Sequence, residues 1–242
     1  MKIALISDIH SNLEALESVL RDIEKNGVEK IHFLGDAVGY GSEPNKCIQL
    51  ISKHCDIKLL GNHDYAALGL ISLAGFNKVA RISVEWTQTQ LKQKSIEALA
   101  DFEMHSTFLD YFLVHSSPAA PDDWDYILNA DQAKEQFAHF TQSVCFIGHS
   151  HIPAIFTNEK DGSVSSETEL SAEFKQNRRY IINIGSVGQP RDNDPRACYL
   201  IVDTDAARIE YRRVEYDIGK TQGKMRKAML PDFLVERLAV GR

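Results

Sequence analysis

Short apolar runs alternate with amphipathic stretches along the N-terminal part of the chain. "KIALIS" (2–7), "KIHFLG" (30–35) and "IKLLG" (57–61) are nearly continuous apolar runs, the pattern of short buried strands. Between the first two, Leu13, Leu16, Leu20 and Ile23 recur at helical spacing, and Asn26-Gly27 supplies a stop. Between the second and third, a helix is predicted from about 44 to 54, with Pro44 near its start. This β-α-β-α-β order predicts a parallel sheet with crossover helices. Residues 64–100 read as helices: "YAALGL", a segment around "NKVARISVEWTQTQL", and "KSIEALADF". From 105 to 214 short strand candidates take over: "TFLDYFLVH", "VCFIGH", "AIFTNE", "RYIINI", "CYLIVD" and "RIEYRRVEY", with one helix near 131–139. A helical tail starts near 218 and is broken at Pro231. No repeat, low-complexity tract or linker divides the chain. One domain over 1–242 is therefore expected, an α/β fold with two packed sheets and helices outside. Residues 64–100 would be a helical insertion, and 217–242 a helical tail.

The bulk numbers narrow the partners. The 242 residues are enough for a substantial core. Charged residues at 25% and hydrophobic residues at 43% are ordinary for a soluble globular protein. A net charge of −7 does not attract nucleic acid or an anionic membrane. The local basic group Lys220, Lys224, Arg226 and Lys227 reads as a solvated helix face. No run approaches the roughly 18 apolar residues of a membrane helix. Asp8 interrupts the first apolar stretch and no small-residue cleavage site follows, so no signal peptide is read. Cys47, Cys55, Cys145 and Cys198 show no CxxC spacing and sit mostly in apolar contexts. Buried free thiols in a reducing, cytoplasmic compartment account for them.

The residues that follow the strands change the picture. The first strand ends in Asp8-Ile9-His10, the second in Gly35-Asp36, and the third in Gly61-Asn62-His63-Asp64. "YFLV" ends in His115, and "VCFI" ends in Gly148-His149-Ser150-His151. Open α/β sheets bind ligands beyond the carboxyl ends of their strands. Five of the nine histidines fall at such positions, whereas His32, His54, His105 and His139 do not and read as structural or solvated. An isolated HxH is more often a polar loop than a metal site, but neutral imidazole is a common ligand.

The ordered set D-x-H, G-D, G-N-H-D, H, G-H-x-H resembles the metal motifs of the calcineurin-like metallophosphoesterases. That resemblance implies a four-layer α/β/β/α sandwich of two mixed sheets, with a metal site at the strand carboxyl ends. It also implies two divalent ions. Asp8, His10 and His151 would hold the first, and Asn62, His115 and His149 the second, with Asp36 bridging. Mixed nitrogen and oxygen ligation points to Mn²⁺, with Fe, Zn²⁺ or Ni²⁺ also suited, over Mg²⁺ or Ca²⁺. The implied reaction is in-line attack on phosphorus by a hydroxide that the metals share. His63 would be the general acid for the leaving oxygen. Asp64 would either orient His63 or cap the next helix.

The stretches "SDIHSN", "GDAVGYG", "FNKVA" and "GSVGQPRDNDPRACY" resemble a small bacterial branch described as diadenosine-tetraphosphatase-like or serine/threonine-phosphatase-like. Ser11 and Ser116 stand where that branch usually has Gly, and Ile184 where Pro is common. Protein phosphatases usually carry GDxVDRG, but here Gly39 and Tyr40 replace the Asp that supports the catalytic His and the Arg that binds phosphate. This counts against efficient protein phosphatase activity. Arg191 would supply the missing cation, the loop 185–188 could turn backbone N–H groups toward an anion, and Asn12 would contact substrate. The alternative for Arg191 is a surface ion pair with Asp192 or Asp194. Trp86 and Trp124 read as core or lid packing, or as the lining of a substrate mouth. The expected function is hydrolysis of small phosphomonoesters, phosphodiesters or nucleotides. A protein phosphatase, a nuclease and a non-catalytic scaffold of the same fold, as in the retromer subunit, are the alternatives. The acidic net charge disfavours the nuclease. The survival of all seven ligand positions and His63 disfavours the scaffold.

Overall fold

The computed structural model describes residues 1–169 and 171–242. Among them, two six-stranded sheets lie face to face. The first contains β1 (Lys2–Ile6), β2 (Lys30–Phe33), β3 (Ile57–Lys58), β9 (Ser171–Glu173), β11 (Ala197–Asp203) and β12 (Arg208–Val214), in the order β3-β2-β1-β11-β12-β9. The second contains β4 (His105–Phe108), β5 (Tyr111–Val114), β6 (Val144–Ile147), β7 (Ala154–Asn158), β8 (Val164–Glu167) and β10 (Arg179–Asn183), in the order β4-β5-β6-β10-β7-β8. Both sheets are mixed. β1, β2 and β3 run parallel, as do β5, β6 and β10, while the remaining pairs are antiparallel.

The period-two rule of strands builds the layers. Ile3 and Leu5 of β1 join Leu113, Val144, Phe146 and Ile182 in the core between the sheets. Ala4 and Ile6 face the other way, onto Leu16, Val19 and Ile23 of helix α1 (Leu13–Lys25) and Ile48 and Ile51 of α2 (Pro44–His54). On the far side, Cys145, Ile147 and Ile181 pack beside Ala133 of α6 (Ala130–Gln136) and Phe137. The result is the expected four-layer α/β/β/α sandwich. Strands covered on both faces explain why their sequences lack polar alternation. The 64–100 region carries α3 (Asn62–Ala67), α4 (Lys78–Gln90) and α5 (Gln93–Ala100). All four cysteines are buried and free. No helix of the described residues is long and apolar enough to cross a membrane.

Three expectations differ in detail. "TFLDYFLVH" is two strands, because Leu109 takes a left-handed φ of 55° and turns the chain so that Phe108 lies opposite Tyr111. The helix expected near 131–139 ends at Gln136; Asn129 caps its start by accepting from the Gln132 N–H. β8 and β9 are short polar strands with no apolar signal.

The basic residues of the tail are not simply a solvated face. In α7 (Ile218–Lys227), Lys220 and Lys224 reach the buried Glu14 at 3.2 and 2.7 Å, and Lys224 also reaches Glu43 at 2.9 Å. Together they pin the tail to α1. Met225, Leu230, Leu234, Val235 and Leu238 then pack with Ala80 of α4 around Tyr40.

One polar bond crosses the inter-sheet core. The buried Tyr211 hydroxyl on β12 donates to the carbonyl of Asn183 at 2.6 Å, with that of Ala154 at 3.3 Å. Asn183 in turn donates through Nδ2 to Ser150 Oγ at 2.9 Å, under the loop that follows β6. Tyr211→Phe is expected to cost about 1–2 kcal/mol, the range for a buried acceptor that loses its donor. Urea unfolding reads this as a lower midpoint with an unchanged slope; an unchanged midpoint would contradict it.

Candidate metal centre

β1 and β2 end level, with Ile6 opposite Phe33, so the loops after them emerge side by side. Those loops continue the ladder: the N–H groups of Asp8, His10 and Ser11 donate to the carbonyls of Gly35, Asp36 and Ala37 at 2.9–3.0 Å. The second sheet does the same, as the Gly148 N–H donates to the His115 carbonyl at 2.9 Å. The two sheets are tied at this edge by the His149 N–H, which donates to Asp8 Oδ2 at 3.2 Å. Asp8, His10, Asp36, His149 and His151 all have φ between 48° and 67°, the left-handed region that non-glycine residues avoid. Each such residue costs on the order of 1–3 kcal/mol. The surrounding hydrogen bonds hold them there, and the turns bring their side chains to one point.

Six of the seven residues read as ligands are brought together, and Asn62 lines the same cavity wall as His149. Asp8, His10, Asp36 and His151 offer atoms within 4.8 Å of one another, and so do Asp36, His115 and His149. Asp36 belongs to both groups. Asn62, at the start of α3, has its Oδ1 buried without a partner.

The ring nitrogens are preset as lone pairs. The Nδ1 atoms of His10, His115 and His151 lie 3.0, 2.7 and 2.6 Å from the carbonyls of Val38, Leu34 and Gln189. A carbonyl can only accept, so each Nδ1 carries the proton, and in a neutral ring Nε2 is left as an acceptor. His149 uses the opposite atom: its Nε2 donates to the Trp124 carbonyl at 2.8 Å, which leaves Nδ1 free. Consequently His10 Nε2 and His151 Nε2 face each other at 3.1 Å, and His151 Nε2 stands 3.3 Å from Asp8 Oδ1. Two lone pairs and a carboxylate oxygen at such spacing repel unless a cation sits among them. Asp8 Oδ1 and His115 Nε2 are likewise buried and unpartnered. This donor set fits divalent ions of the nitrogen- and oxygen-ligated kind.

Electrostatics agree. Burial pushes His10 well below the ordinary histidine range, against the pull of Asp36. Burial and the neighbouring His115 bring His149 down to about 3. Burial alone would raise Asp36, but His115, His63 and His10 hold it well below the usual carboxylate range. Burial also opposes protonation of His115, yet Asp36 and Asp8 outweigh it and raise the ring to about 9. Without metal, His115 therefore carries the positive charge that the two carboxylates demand.

His63 lies beside this group, its Nδ1 buried and unpartnered. Its ring is boxed by Tyr40, His10 and Phe76, with centroids at 4.4, 4.9 and 5.3 Å. A Cβ at Gly39, whose φ is +87°, would overlap that ring. Burial takes His63 down to about 4; Asp36 opposes the fall and Arg191 adds to it. The Asp64 side chain does not hydrogen-bond the His63 ring. Its carboxylate accepts from the N–H groups of Ala37, Val38 and Gly61 at 3.1–3.2 Å, so it caps α3 and straps the loop after β2.

Arg191 stands next to Tyr40, with its guanidinium 5.7 Å from the ring and one nitrogen 3.1 Å from Gln189 Oε1. It does not pair with Asp192 or Asp194, which are taken by Arg213 and Arg196. The N–H groups of Val187 and Gly188 are not presented to an anion either; they donate to the carbonyls of Ser7 and Asp8. Asn12 also departs from expectation. It is buried, accepts from the Ala15 N–H as the cap of α1, and donates to the Gly188 carbonyl at 2.8 Å, so the fold engages its amide.

Two contributions escaped the sequence, the backbone carbonyl of Trp124 and the ring of Tyr126, although Trp124 itself is among the residues read for a substrate mouth, and it lines the same cavity as His149. Trp124, at φ 60°, turns its carbonyl onto His149, and Tyr126 stacks on the His149 ring at 4.1 Å and 18°. The acidic "PDDWD" loop gave no ligand signal, because a backbone carbonyl has no residue signature.

The comparisons with known proteins fall in line with this geometry. A family model described as the calcineurin-like phosphoesterase superfamily domain matches residues 1–207. The chain belongs to that superfamily. A crystal structure of a metallophosphoesterase from Sphaerobacter thermophilus is similar with a TM-score of 0.90 and 43% identity, over 100% of this chain and 99% of that one. The uncharacterized protein MJ0912 of Methanocaldococcus jannaschii is 42% identical over 244 residues, covering 99% of this chain and 98% of its own. Phosphodiesterase YfcE of Escherichia coli K12 is 24% identical over 209 residues, 86% of this chain and 91% of its own. Membership of this superfamily meets the expectation drawn from the motifs, and its fold is the four-layer one described above.

A metal test follows from the protonated His115. Its folded pKa is raised, so its charge stabilises the metal-free protein fully below about pH 6.5, and this is lost as pH rises through about 9. A metal must displace that proton. Binding of Mn²⁺ at pH 7 is expected to release about one proton, and affinity should climb between pH 6 and 9. Calorimetry in two buffers of different ionisation heat measures the release; none at pH 7 would contradict the charge state. At free Mn²⁺ a hundredfold above Kd, stability should rise by about 2.7 kcal/mol, a shift that Asp36→Asn should abolish.

Proposed function

We propose that this protein is a metal-dependent phosphoesterase that hydrolyses small phosphomonoesters, phosphodiesters or nucleotides. The observation that carries the reading is the pair of imidazole Nε2 atoms at 3.1 Å beside Asp8, with His115 Nε2 3.5 Å from Asp36. Asp8, His10 and His151 would hold one divalent ion, Asn62, His115 and His149 a second, and Asp36 both, with manganese the first choice. Bound there, the ions supply Lewis-acid polarisation of the phosphoryl group and a water acidic enough to attack at neutral pH.

The chain's own residues do the rest. His63 is neutral in the resting site, and the negative charge of an arriving phosphate raises its proton affinity. His63 would take up a proton from solvent as the phosphate binds, pass that proton to the leaving oxygen and return to the neutral ring. Tyr40 and Phe76 fix the plane of its ring. Arg191, which pairs with no carboxylate among the described residues, offers a guanidinium on the Tyr40 side to phosphate oxygens. The name of the Escherichia coli relative, a phosphodiesterase, supports the ester class. The protein phosphatase reading is disfavoured locally: the His63 ring occupies the space over Gly39, and no carboxylate partners His63. Buried free thiols suit a reducing cytoplasm as the working compartment.

His63→Ala should lower kcat by about 10²–10⁴ with bound metal unchanged. The loss should shrink for nitrophenyl esters, whose leaving group needs little protonation. Equal losses on all esters would assign His63 to phosphate binding or to structure instead. Arg191→Ala should raise KM or lower kcat/KM at unchanged metal content and Tm, and Arg191→Lys should restore only part, because an ammonium is a point charge and not a fork. A native kcat/KM in Arg191→Ala would remove Arg191 from the site.

A further inference from the structure

A cavity of about 380 Å³ opens on the wall formed by Asn62, His63 and His149. That is within the size range of small-molecule sites. Its other walls come from two segments that the metal ligands do not use. One is the stretch between α3 and α4, which contributes Phe76; the other is the loop that carries Asp122, Asp123, Trp124 and Tyr126. The cavity is therefore aromatic on two sides and acidic at its rim.

The aromatic walls are set for a flat group. Tyr126 lies on the His149 ring at 4.1 Å and 18°, yet the residue is 46% exposed. One face of Tyr126 is used and the other is open, so a further ring can continue the stack. Trp124 lines the same space and has a buried Nε1–H with no acceptor in the protein. An indole N–H is a donor only, and leaving it unpaired is costly.

The rim sets the charge. Asp122 and Asp123 are both exposed. They accept hydrogen bonds from hydroxyl or amino groups and repel further phosphates. Arg191, the cation of the site, does not line this cavity.

Resting on the phosphoesterase reading, we infer that this cavity binds the organic group of the ester, and that the group is a nucleoside or similar flat heterocycle carrying no further phosphate. The side chains that select it are Phe76, Trp124 and Tyr126 by stacking, and Asp122 and Asp123 by exclusion of anions. Aliphatic esters, and esters whose leaving group is itself a polyphosphate, are the poor substrates.

Adenosine tests this without any ester. Among the two tryptophans, Trp86→Phe leaves Trp124 as the reporter. In that variant, free of metal, adenosine should quench the fluorescence saturably and ribose should not. Phe76→Ala should weaken adenosine binding at least about fivefold, the scale of one lost stacking contact. Adenosine triphosphate should bind at least about tenfold more weakly than adenosine, and the double change Asp122→Asn with Asp123→Asn should close most of that gap. Equilibrium dialysis of labelled adenosine against the unaltered protein gives the same affinity without relying on Trp86→Phe. No saturable adenosine binding in dialysis, or ribose bound as well as adenosine, overturns the pocket. Triphosphate bound as tightly as adenosine overturns the exclusion. Adenosine binding with no ester hydrolysis by the manganese-loaded protein would sink the phosphoesterase reading and keep the pocket; hydrolysis without adenosine binding would do the reverse.

Discussion

Two carboxylates buried at the same point govern this structure. Asp8 and Asp36 are at most 1% exposed, and their oxygens lie within one ligand cluster. Burying a single unpaired carboxylate costs several kcal/mol, and two repel each other as well. The surrounding architecture answers that charge. His10, His115 and His151 are turned toward the pair, and backbone carbonyls hold each ring so that Nε2 faces inward. Gly61 is required because a Cβ there would run into the Asp36 carboxylate. The left-handed turns at five ligands persist because cross-loop hydrogen bonds hold them against their strain. Without metal, Asp36 and Asp8 raise His115 and favour a proton there, while burial holds His10, His149 and His151 below their ordinary range. That imbalance is the physical reason to read the cluster as a binding site and not as a buried ion-pair network.

How much of this was legible follows from what each feature writes into the chain. The strands buried on both faces wrote themselves as apolar runs, and the ligands followed them as side chains of unmistakable type. That is why the four-layer fold could be read, and why Asp8, His10, Asp36, His115, His149 and His151, which cluster, stood out in the sequence. The β4–β5 hairpin was hidden because its turn is Leu109-Asp110, with only one polar residue in an apolar stretch. β8 and β9 pair through the backbone and carry few apolar residues. Asn12 was read toward substrate because an Asn after D-x-H looks the same whether it serves a ligand or caps the helix beside it. Its contact with Ala15 decides for the cap. The Trp124 carbonyl was invisible in principle, since any residue at φ 60° could present one.

Tyr40 shows how a departure from the phosphatase pattern is accommodated. Its ring packs on His10 and His63, its hydroxyl lies 3.4 Å from Arg191, and the tail residues Leu234 and Leu238 share its apolar cluster. An Arg at that position would bring a second cation to the Arg191 side. A Tyr brings none and seals the ring of His63 from water. Sealing has a consequence for the acid. Burial drives His63 down to about 4, and the pull of Asp36 is too weak to hold a proton on it. The charge that restores its proton must then arrive with the phosphate. If His63 is the acid, as proposed, it would be recruited by the substrate, and its catalytic power would depend on how much negative charge the ester brings. Arg191 limits the same effect, because a guanidinium that binds the phosphate also masks part of its charge. Tyr40 touches both groups, its ring on His63 and its hydroxyl 3.4 Å from Arg191, so on the proposed reading one would bind the phosphate while the other still feels it.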